Sequence, residues 1–121
     1  MVEVYKFQKL VVYQMALEYF DLVYTLSRKL PPSEKYNLGS QIERAATSVV
    51  LNIAEGSTGN SDLEQSRFLG FSIRSYLETV ACLDLIERRK FLSHEETIEI
   101  RTLGQHMFIK LQAFRKTLNN G

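Results

Sequence analysis

Apolar positions recur with a helical period along most of the chain. In residues 7–30 two apolar stripes share the alternating 3-4 spacing of a heptad and are offset by about 200° around a helix. The first stripe is Leu10, Tyr13, Leu17, Phe20 and Tyr24, and the second is Val12, Met15, Tyr19, Leu22 and Leu26. One stripe is enough for the chain's own core. The second therefore favours a partner subunit, with exposed tyrosines on the surface as the alternative.

The same period predicts three further helices, over residues 40–55, 62–89 and 94–118. Each begins at a serine that is followed three residues later by a glutamate: Ser40 with Glu43, Ser61 with Glu64, and Ser93 with Glu96. In such a capping box the serine hydroxyl accepts a hydrogen bond from the third backbone amide, and the glutamate accepts one from the serine amide. The three pairs therefore predict three helix starts.

The fold class follows from these elements. Pro31 and Pro32 end the first helix, and residues 119–121 are expected to fray after the last one. No segment alternates apolar and polar residues with period two, so no sheet is expected. Short connections make successive long helices antiparallel. The sequence predicts an all-α, antiparallel up-down-up-down four-helix bundle, a single domain over residues 1–121.

Composition narrows the class of protein. Of 121 residues 45% are hydrophobic and 24% charged, and the net charge of +1 demands neither a polyanionic partner nor an acidic membrane. A leader at Met1 and an apolar run near 18 residues are both missing, which favours a cytoplasmic protein with no membrane contact. The single cysteine, Cys82, cannot form an internal disulfide or a cysteine zinc cluster.

Three residues near the end of the second predicted helix stand out as a structural motif. Asn52 lies beside the apolar stripe, so its amide is expected to bond a backbone group or a partner subunit. Glu55 lies at the negative end of the helix dipole and predicts a basic partner, Arg67 or Arg74. Gly56 is expected to end the helix.

Basic residues supply the candidate nucleic-acid-binding site. Arg88, Arg89 and Lys90 cluster at the end of the third predicted helix, and Arg44 lies on the second. Cations at a helix end also stabilise its dipole, so a structural role is the competing interpretation. Helix directions place this cluster at the same end of the bundle as Arg28 and Lys29. Repeated around an oligomer, such an end could contact phosphates.

The acidic residues, the two histidines and the single cysteine do not indicate a catalytic site or a metal site that we favour. One group, Glu95, Glu96 and Glu99, and a second, Glu18 and Asp21, resemble the paired carboxylates of metal-dependent nucleotide phosphohydrolases. The first group lies in the opening turns of a helix, where negative charge stabilises the dipole. His94, His106 and Cys82 lack convergent ligands. We expect a protein that is not an enzyme and that binds no cofactor.

Residues 40–56, SQIERAATSVVLNIAEG, carry a family resemblance. They are similar to the signature of bacterial four-helix bundle proteins encoded in intervening sequences of 23S rRNA genes, sometimes called S23 ribosomal proteins. The likeness continues through residues 7–10, 30–38 and 68–78. The chain departs from the family at Glu43, where a basic residue is usual, and at Arg74, where glycine is usual.

The resemblance implies a ring-shaped homo-oligomer, a pentamer. Related proteins of diversity-generating retroelements assist a reverse transcriptase and bind nucleic acid. The leading hypothesis is therefore a non-enzymatic, oligomeric binding or scaffold protein whose partner is RNA or a nucleic-acid-processing protein. A protein–protein adaptor without nucleic-acid binding is the alternative, and a metal-dependent nucleotide phosphohydrolase is a remote one.

Overall fold

The structure is a computed structural model that describes residues 2–59 and 61–120. Four long helices make the fold: α1 is Val11–Ser27, α2 is Ser40–Gly56, α3 is Asp62–Arg88 and α4 is His94–Asn120. A 3₁₀ turn, Lys6–Lys9, precedes α1. The connection from α1 to α2 contains a 3₁₀ turn, Pro32–Glu34, and a π-helical turn, Lys35–Gly39. No strand occurs within the described ranges.

Polar contacts between helices fix their directions. Ser48 and Ser75 share a hydrogen bond of 2.8 Å across the middle of α2 and α3, and Gln65 donates to the hydroxyl that follows the end of α2, 3.1 Å away. Glu87 near the end of α3 accepts from Arg101 near the start of α4. Since α1 packs against both α2 and α4, the four helices close a bundle. The predicted all-α four-helix bundle is confirmed.

The two apolar stripes of α1 differ in burial. Val12, Tyr19 and Leu26 of the second stripe are buried in the core, together with residues of all three other helices. Tyr13 and Phe20 of the first stripe are only half-buried and pack against the edge of that core. The Val12–Leu26 stripe is therefore the one that holds the bundle together, and the other leaves apolar surface facing outward.

A buried tyrosine network lies at the centre of the core. Thr79 donates its hydroxyl proton to the carbonyl of Tyr76, so Tyr19 must donate to the Thr79 hydroxyl, 2.7 Å away. The rings of Tyr19 and Tyr76 meet edge to face with centroids 5.7 Å apart. Gly104 of α4 lies against both rings, and a Cβ there would be 2.7 Å from an edge carbon of each. Glycine therefore allows α4 to approach the tyrosine pair.

Two of the three predicted capping serines receive the expected amide. Glu96 donates its amide to the Ser93 hydroxyl at 3.2 Å, and its carboxylate accepts from the Ser93 amide at 3.0 Å, so this capping box is complete. Ser61 accepts from the Glu64 amide at 3.0 Å. The Glu64 carboxylate instead pairs with Arg67 at 2.8 Å, so this second box is only half formed.

The predicted capping box at Ser40 is wrong. Gly39, the residue before it, already has helical backbone angles, φ −60° and ψ −49°, because the π-helical turn runs directly into α2. Ser40 is therefore an internal helical residue, and its hydroxyl accepts from Arg44 at 3.0 Å. The Glu43 carboxylate does not bond a backbone amide of its own helix. It accepts a hydrogen bond from the Ser27 hydroxyl at the end of α1.

The ends of the first and last helices also differ from the prediction. The first helix begins at Val11 and not at residue 7, and it ends at Ser27, three residues before the predicted end at 30. The last helix continues to Asn120 because polar groups hold it to α3. Arg115 donates to the Ser66 carbonyl at 3.0 Å, and the Asn119 side chain accepts from the Ser66 hydroxyl. The helix therefore extends past its predicted end at residue 118, and Gly121 lies outside the described residues.

Membrane insertion has no candidate segment in the described chain. Within residues 2–59 and 61–120, no helix combines the length and the apolar character needed to cross a bilayer.

Candidate nucleic-acid interface

One end of the bundle gathers the candidate phosphate-binding residues. We call it the connector pole: the ends of α1 and α3 together with the starts of α2 and α4. Ser27 at the end of α1 donates to Glu43 near the start of α2. Hydrogen bonding from the Ser93 amide is the main cause that lowers the pKa of Glu96, and the positive charge of Lys29 adds to it. Asp21 and Leu22 of α1 line one pocket with Glu99 of α4, so the second half of α1 packs along the first half of α4.

All four predicted phosphate-contact residues lie at this pole and are exposed. Arg88 is the last residue of α3, and Arg89 and Lys90 follow it directly. Arg44 lies in the second turn of α2, and its guanidinium reaches back to the Ser40 hydroxyl. The guanidinium of Arg89 is 5.9 Å from the ring centre of Phe91. The fold thus brings the cluster Arg88 to Lys90 and Arg44, which is far from it in sequence, to the same end of the bundle.

Lys90 has a left-handed backbone, with φ 62°. Its amide donates to the Glu87 carbonyl at 2.9 Å, and the Phe91 amide donates to the Ile86 carbonyl at 3.1 Å. These two bonds form the Schellman motif that commonly ends a helix with glycine at this position. Lysine here carries a steric penalty that glycine would avoid. The sequence therefore places a cation at a position where the backbone conformation favours glycine.

Beneath the basic cluster, Arg101 fastens α4 to α3. Its Nε and Nη2 donate to one Glu87 oxygen at 2.9 and 2.6 Å, and Nη2 also donates to Asp84 at 3.0 Å. Burial opposes ionisation of Glu87, but hydrogen bonds from Thr97, Arg101 and His94 outweigh it and hold the pKa of the carboxyl below its ordinary value. The network fixes the orientation of the connection between α3 and α4, in which Arg88 to Lys90 lie.

Sequence reasoning missed this network. Glu87 and Arg101 are separated by 14 positions and by a helix turn, so no spacing rule connects them. His94, for which the sequence indicated no convergent ligands, shares a hydrogen bond of 3.1 Å between its Nδ1 and the other Glu87 oxygen. The available signal was an acid near the end of one helix and a base near the start of the next, which antiparallel packing brings together.

A cleft opens beside the pole at the α1–α2 connection. It has a volume of about 580 Å³ and lies between the end of α1, the connector and the first turns of α2. Its walls contain Arg28, Lys35, Tyr36 and Glu43. Among sequence positions 28–44 there are four basic and two acidic residues, so this connector has a positive balance although the whole chain is nearly neutral.

The Asn52 prediction and the Glu55 prediction have opposite outcomes. Asn52 is half-buried, and its amide donates to the Ser48 carbonyl at 2.9 Å, a backbone group as expected. Glu55 is exposed and has no basic group within ion-pair distance in the described part of the chain, so the predicted pair is wrong. The two arginines proposed for it lie instead over phenylalanine rings: Arg67 over Phe68 and Phe71, and Arg74 over Phe71.

Gly56, the last residue of α2, has a packing role that the sequence did not indicate. It is buried, and a Cβ there would lie 2.7 Å from the Cβ of Phe68. A side chain at this position would push the start of α3 away from α2. The glycine therefore allows the two helices to approach closely. The helix α2 ends at Gly56 as predicted, but without the left-handed backbone of a glycine cap.

The fold brings Glu99 of one acidic group to the same pocket as the other group, Glu18 and Asp21, and leaves Glu96 elsewhere. Glu18, Asp21 and Glu99 line one shallow pocket between α1 and α4, whereas Glu96 caps α4. Among the described residues, no three His, Cys, Asp or Glu side chains are grouped so that they could hold a metal ion. Cys82 is buried, and burial, aided by the charge of Glu78, raises the pKa of its thiol.

Comparison with known proteins agrees with this architecture. A solved protein of unknown function from the S23 ribosomal protein family of Bacteroides thetaiotaomicron superposes with a TM-score of 0.81 at 23% identity. The match covers 88% of this chain and 99% of that one. No curated protein matches in sequence. The model of the 23S rRNA-intervening sequence protein family matches residues 8–113, and the chain therefore belongs to that family.

Proposed function

We propose that this chain is a non-enzymatic, oligomeric scaffold of the cytoplasm that contacts RNA, or RNA held by a processing protein, through its connector pole. One observation carries the proposal: Arg44, Arg88, Arg89 and Lys90 are all exposed at one end of a nearly neutral molecule. A local cluster of exposed cations attracts a polyanion without a high overall charge. A homo-oligomer with its poles on the same side would present several copies to one strand.

The test is RNA affinity as a function of salt. Each phosphate neutralised on a single strand contributes about 0.7 to the slope of log affinity against log salt. Replacing the four residues, Arg44, Arg88, Arg89 and Lys90, by alanine should therefore flatten the slope by up to about 3 per bound subunit. The matched control removes four exposed lysines from the opposite end, Lys6, Lys9, Lys110 and Lys116.

The control keeps the change in net charge the same and alters only its position. We expect it to leave most of the slope intact, because contacts at the connector pole remain. Equal loss in both variants would reduce the binding to nonspecific attraction. An unchanged slope in the pole variant would refute the proposal outright.

A protein partner is the second candidate, and a specific surface favours it. Three leucines, Leu63, Leu77 and Leu85, lie on one outward face of α3 and are 80%, 49% and 51% exposed. Exposed large aliphatic side chains grouped on one helix face are typical of interaction surfaces. The half-buried stripe on α1 adds apolar surface elsewhere, so the proposed oligomer, a pentamer, has two faces available for assembly.

Measuring the mass of the native protein determines how many subunits it contains. A pentamer that dissociates when Leu77 is replaced by aspartate, with Asp62→Lys as a charge-changing control on the same helix, would support self-association through α3. A stable monomer at micromolar concentration would contradict it. Recovery of one protein in constant ratio from crosslinked cells, with only background RNA, would favour the adaptor function.

A further inference from the structure

Buried residues and a helical turn form part of the walls of the cleft at the α1–α2 connection. Its inner surface includes the buried Leu30, and the π-helical turn Lys35–Gly39 forms the side that leads into α2. Gly39 is buried, and a Cβ there would come within 3.1 Å of the Glu34 carbonyl oxygen. π-Helical turns occur often at functional sites. A volume of about 580 Å³ is within the range of small-molecule sites.

Glu43 is the unusual group in this cleft. It is half-buried, and within residues 2–59 and 61–120 no cation lies within ion-pair distance of its carboxylate. Its carboxylate accepts a hydrogen bond from the Ser27 hydroxyl, whose single proton is also directed to the Tyr24 carbonyl. A carboxylate accepts about four hydrogen bonds when ionised. Glu43 therefore retains capacity for donors supplied from the cleft.

Cations and an aromatic ring lie at the mouth of the same cleft. Arg28 and Lys35 are exposed and line it. The Lys35 ammonium is 5.4 Å from the ring centre of Tyr36, and this tyrosine is 87% exposed. One ring face is near the ammonium, and the other is available for stacking. The cleft thus combines an acceptor inside, an apolar and aromatic surface, and positive charge outside.

A ligand that satisfies all three features must have a planar body, adjacent N–H donors and an anionic group. Guanosine phosphates fit this description. The Watson–Crick edge of guanine offers the N1 and N2 donors side by side, whereas adenine and cytosine alternate a donor with an acceptor. Uracil has one N–H between two carbonyls. Bases that are stacked on aromatic rings and bonded at this edge are a common mode of RNA recognition.

We propose that the cleft binds a guanosine phosphate unit, with Glu43 accepting from the guanine edge, Tyr36 stacking on the base, and Arg28 and Lys35 contacting the phosphate. The unit has two sources of the same chemistry, a free nucleotide or a guanosine within single-stranded RNA. The second source rests on the proposed function, because RNA at the connector pole would pass the cleft mouth. The first is independent of it.

The experiment is a titration of the full chain with GMP, IMP, AMP and CMP, followed by NMR or by tyrosine fluorescence. IMP lacks the N2 donors, so we expect it to bind at least tenfold more weakly than GMP. Glu43→Gln keeps the size of the side chain but presents an N–H to a donor edge, and it should reduce GMP affinity at least tenfold. Glu95→Gln, an exposed carboxylate at the same pole, is the matched control.

Stacking has its own pair of variants. Tyr36→Ala should weaken GMP binding about tenfold, because stacking on an aromatic ring contributes on that scale. Tyr5→Ala removes another exposed tyrosine, 63% exposed and near the opposite end, and should have no effect. Thermal unfolding of each variant confirms that the fold is retained.

The two RNA arms separate the sources and the proposals. A single-stranded oligouridine with one central guanosine is compared with the same oligouridine without it. Guanosine preference in GMP or in RNA, lost on Glu43→Gln, supports the inference. Equal affinity for all nucleotides, no binding at millimolar concentration, or no effect of Glu43→Gln overturns it. RNA binding that follows the basic pole without guanosine preference leaves the proposed function standing. GMP binding without RNA binding supports the inference and contradicts the proposed function.

Discussion

Replacing Gly104 by alanine tests whether the tyrosine core requires glycine on α4. The new Cβ would lie 2.7 Å from ring carbons of both Tyr19 and Tyr76 and 3.2 Å from the Tyr76 hydroxyl. Carbon atoms in contact normally lie about 3.5–4.0 Å apart, so each ring must yield by about 1 Å. Tyr19 is 1% exposed and its hydroxyl is held by Thr79, so it has little room to move.

The magnitude follows from three contributions. Overpacking of a core costs about 1–3 kcal/mol. Losing the Tyr19–Thr79 hydrogen bond would add roughly 1 kcal/mol or more. The higher helix propensity of alanine offsets this loss by about 1 kcal/mol. We expect a net loss near 2 kcal/mol in the free energy of unfolding, measured by urea titration of the circular dichroism signal.

Gly59→Ala is the matched control, because a Cβ at Gly59 meets no described atom within 4 Å and its φ is not in the left-handed region. This change should be neutral or should stabilise by up to about 1 kcal/mol. Both variants are compared at one protein concentration, because assembly makes apparent stability concentration-dependent. If Gly104→Ala is as stable as Gly59→Ala, the rings and α4 separate freely and the reasoning on close approach is wrong.

Three further predictions concern helix ends and acid stability. Lys90→Gly should raise the free energy of unfolding by roughly 0.5–1 kcal/mol in the same urea assay, because it relieves the left-handed backbone; a loss would contradict the Schellman assignment. Ser61→Ala should destabilise by about 1 kcal/mol, whereas Ser40→Ala should change little, since only the first serine caps a helix. The folded-state pKa of Glu87 is depressed, so its contribution to stability is present above the unfolded value near 4.5 and is lost as pH falls through the folded value. Stability measured from about pH 7 to pH 3 should therefore fall less steeply in Glu87→Gln, and parallel curves would refute the role of the network.

Periodicity was sufficient to predict the bundle because helix number and direction depend on many residues at once. The starts of α3 and α4 were also predictable, since Ser61 and Ser93 cap them through local hydrogen bonds. Ser40 follows the same local pattern and fails. The connector before it is already helical, and that conformation depends on tertiary packing of the buried residues Leu38 and Gly39.

The site was less predictable because its contacts join distant positions. Exposure of Arg44 and of the cluster after α3 follows from amphipathic patterning, and the antiparallel order places them at one end. The solvent exposure of Glu55 and the hydrogen-bond partner of Glu43 could not be deduced in this way. Glu55 lies in water, and Glu43 leaves the cap that its spacing suggests for a hydroxyl 16 positions away. Side-chain orientation across helices, and not local spacing, decides such pairs.

The polar contacts at the two ends of the α3–α4 pair have a consequence for local unfolding. Glu87 with Arg101 joins the helices at the connector pole, and Ser66 with Arg115 and Asn119 joins them at the opposite end. A helix tied at both ends cannot open by peeling from its terminus without breaking a polar contact first. Amide protons along α4 should therefore exchange with solvent together with those of α3, as one cooperative unit.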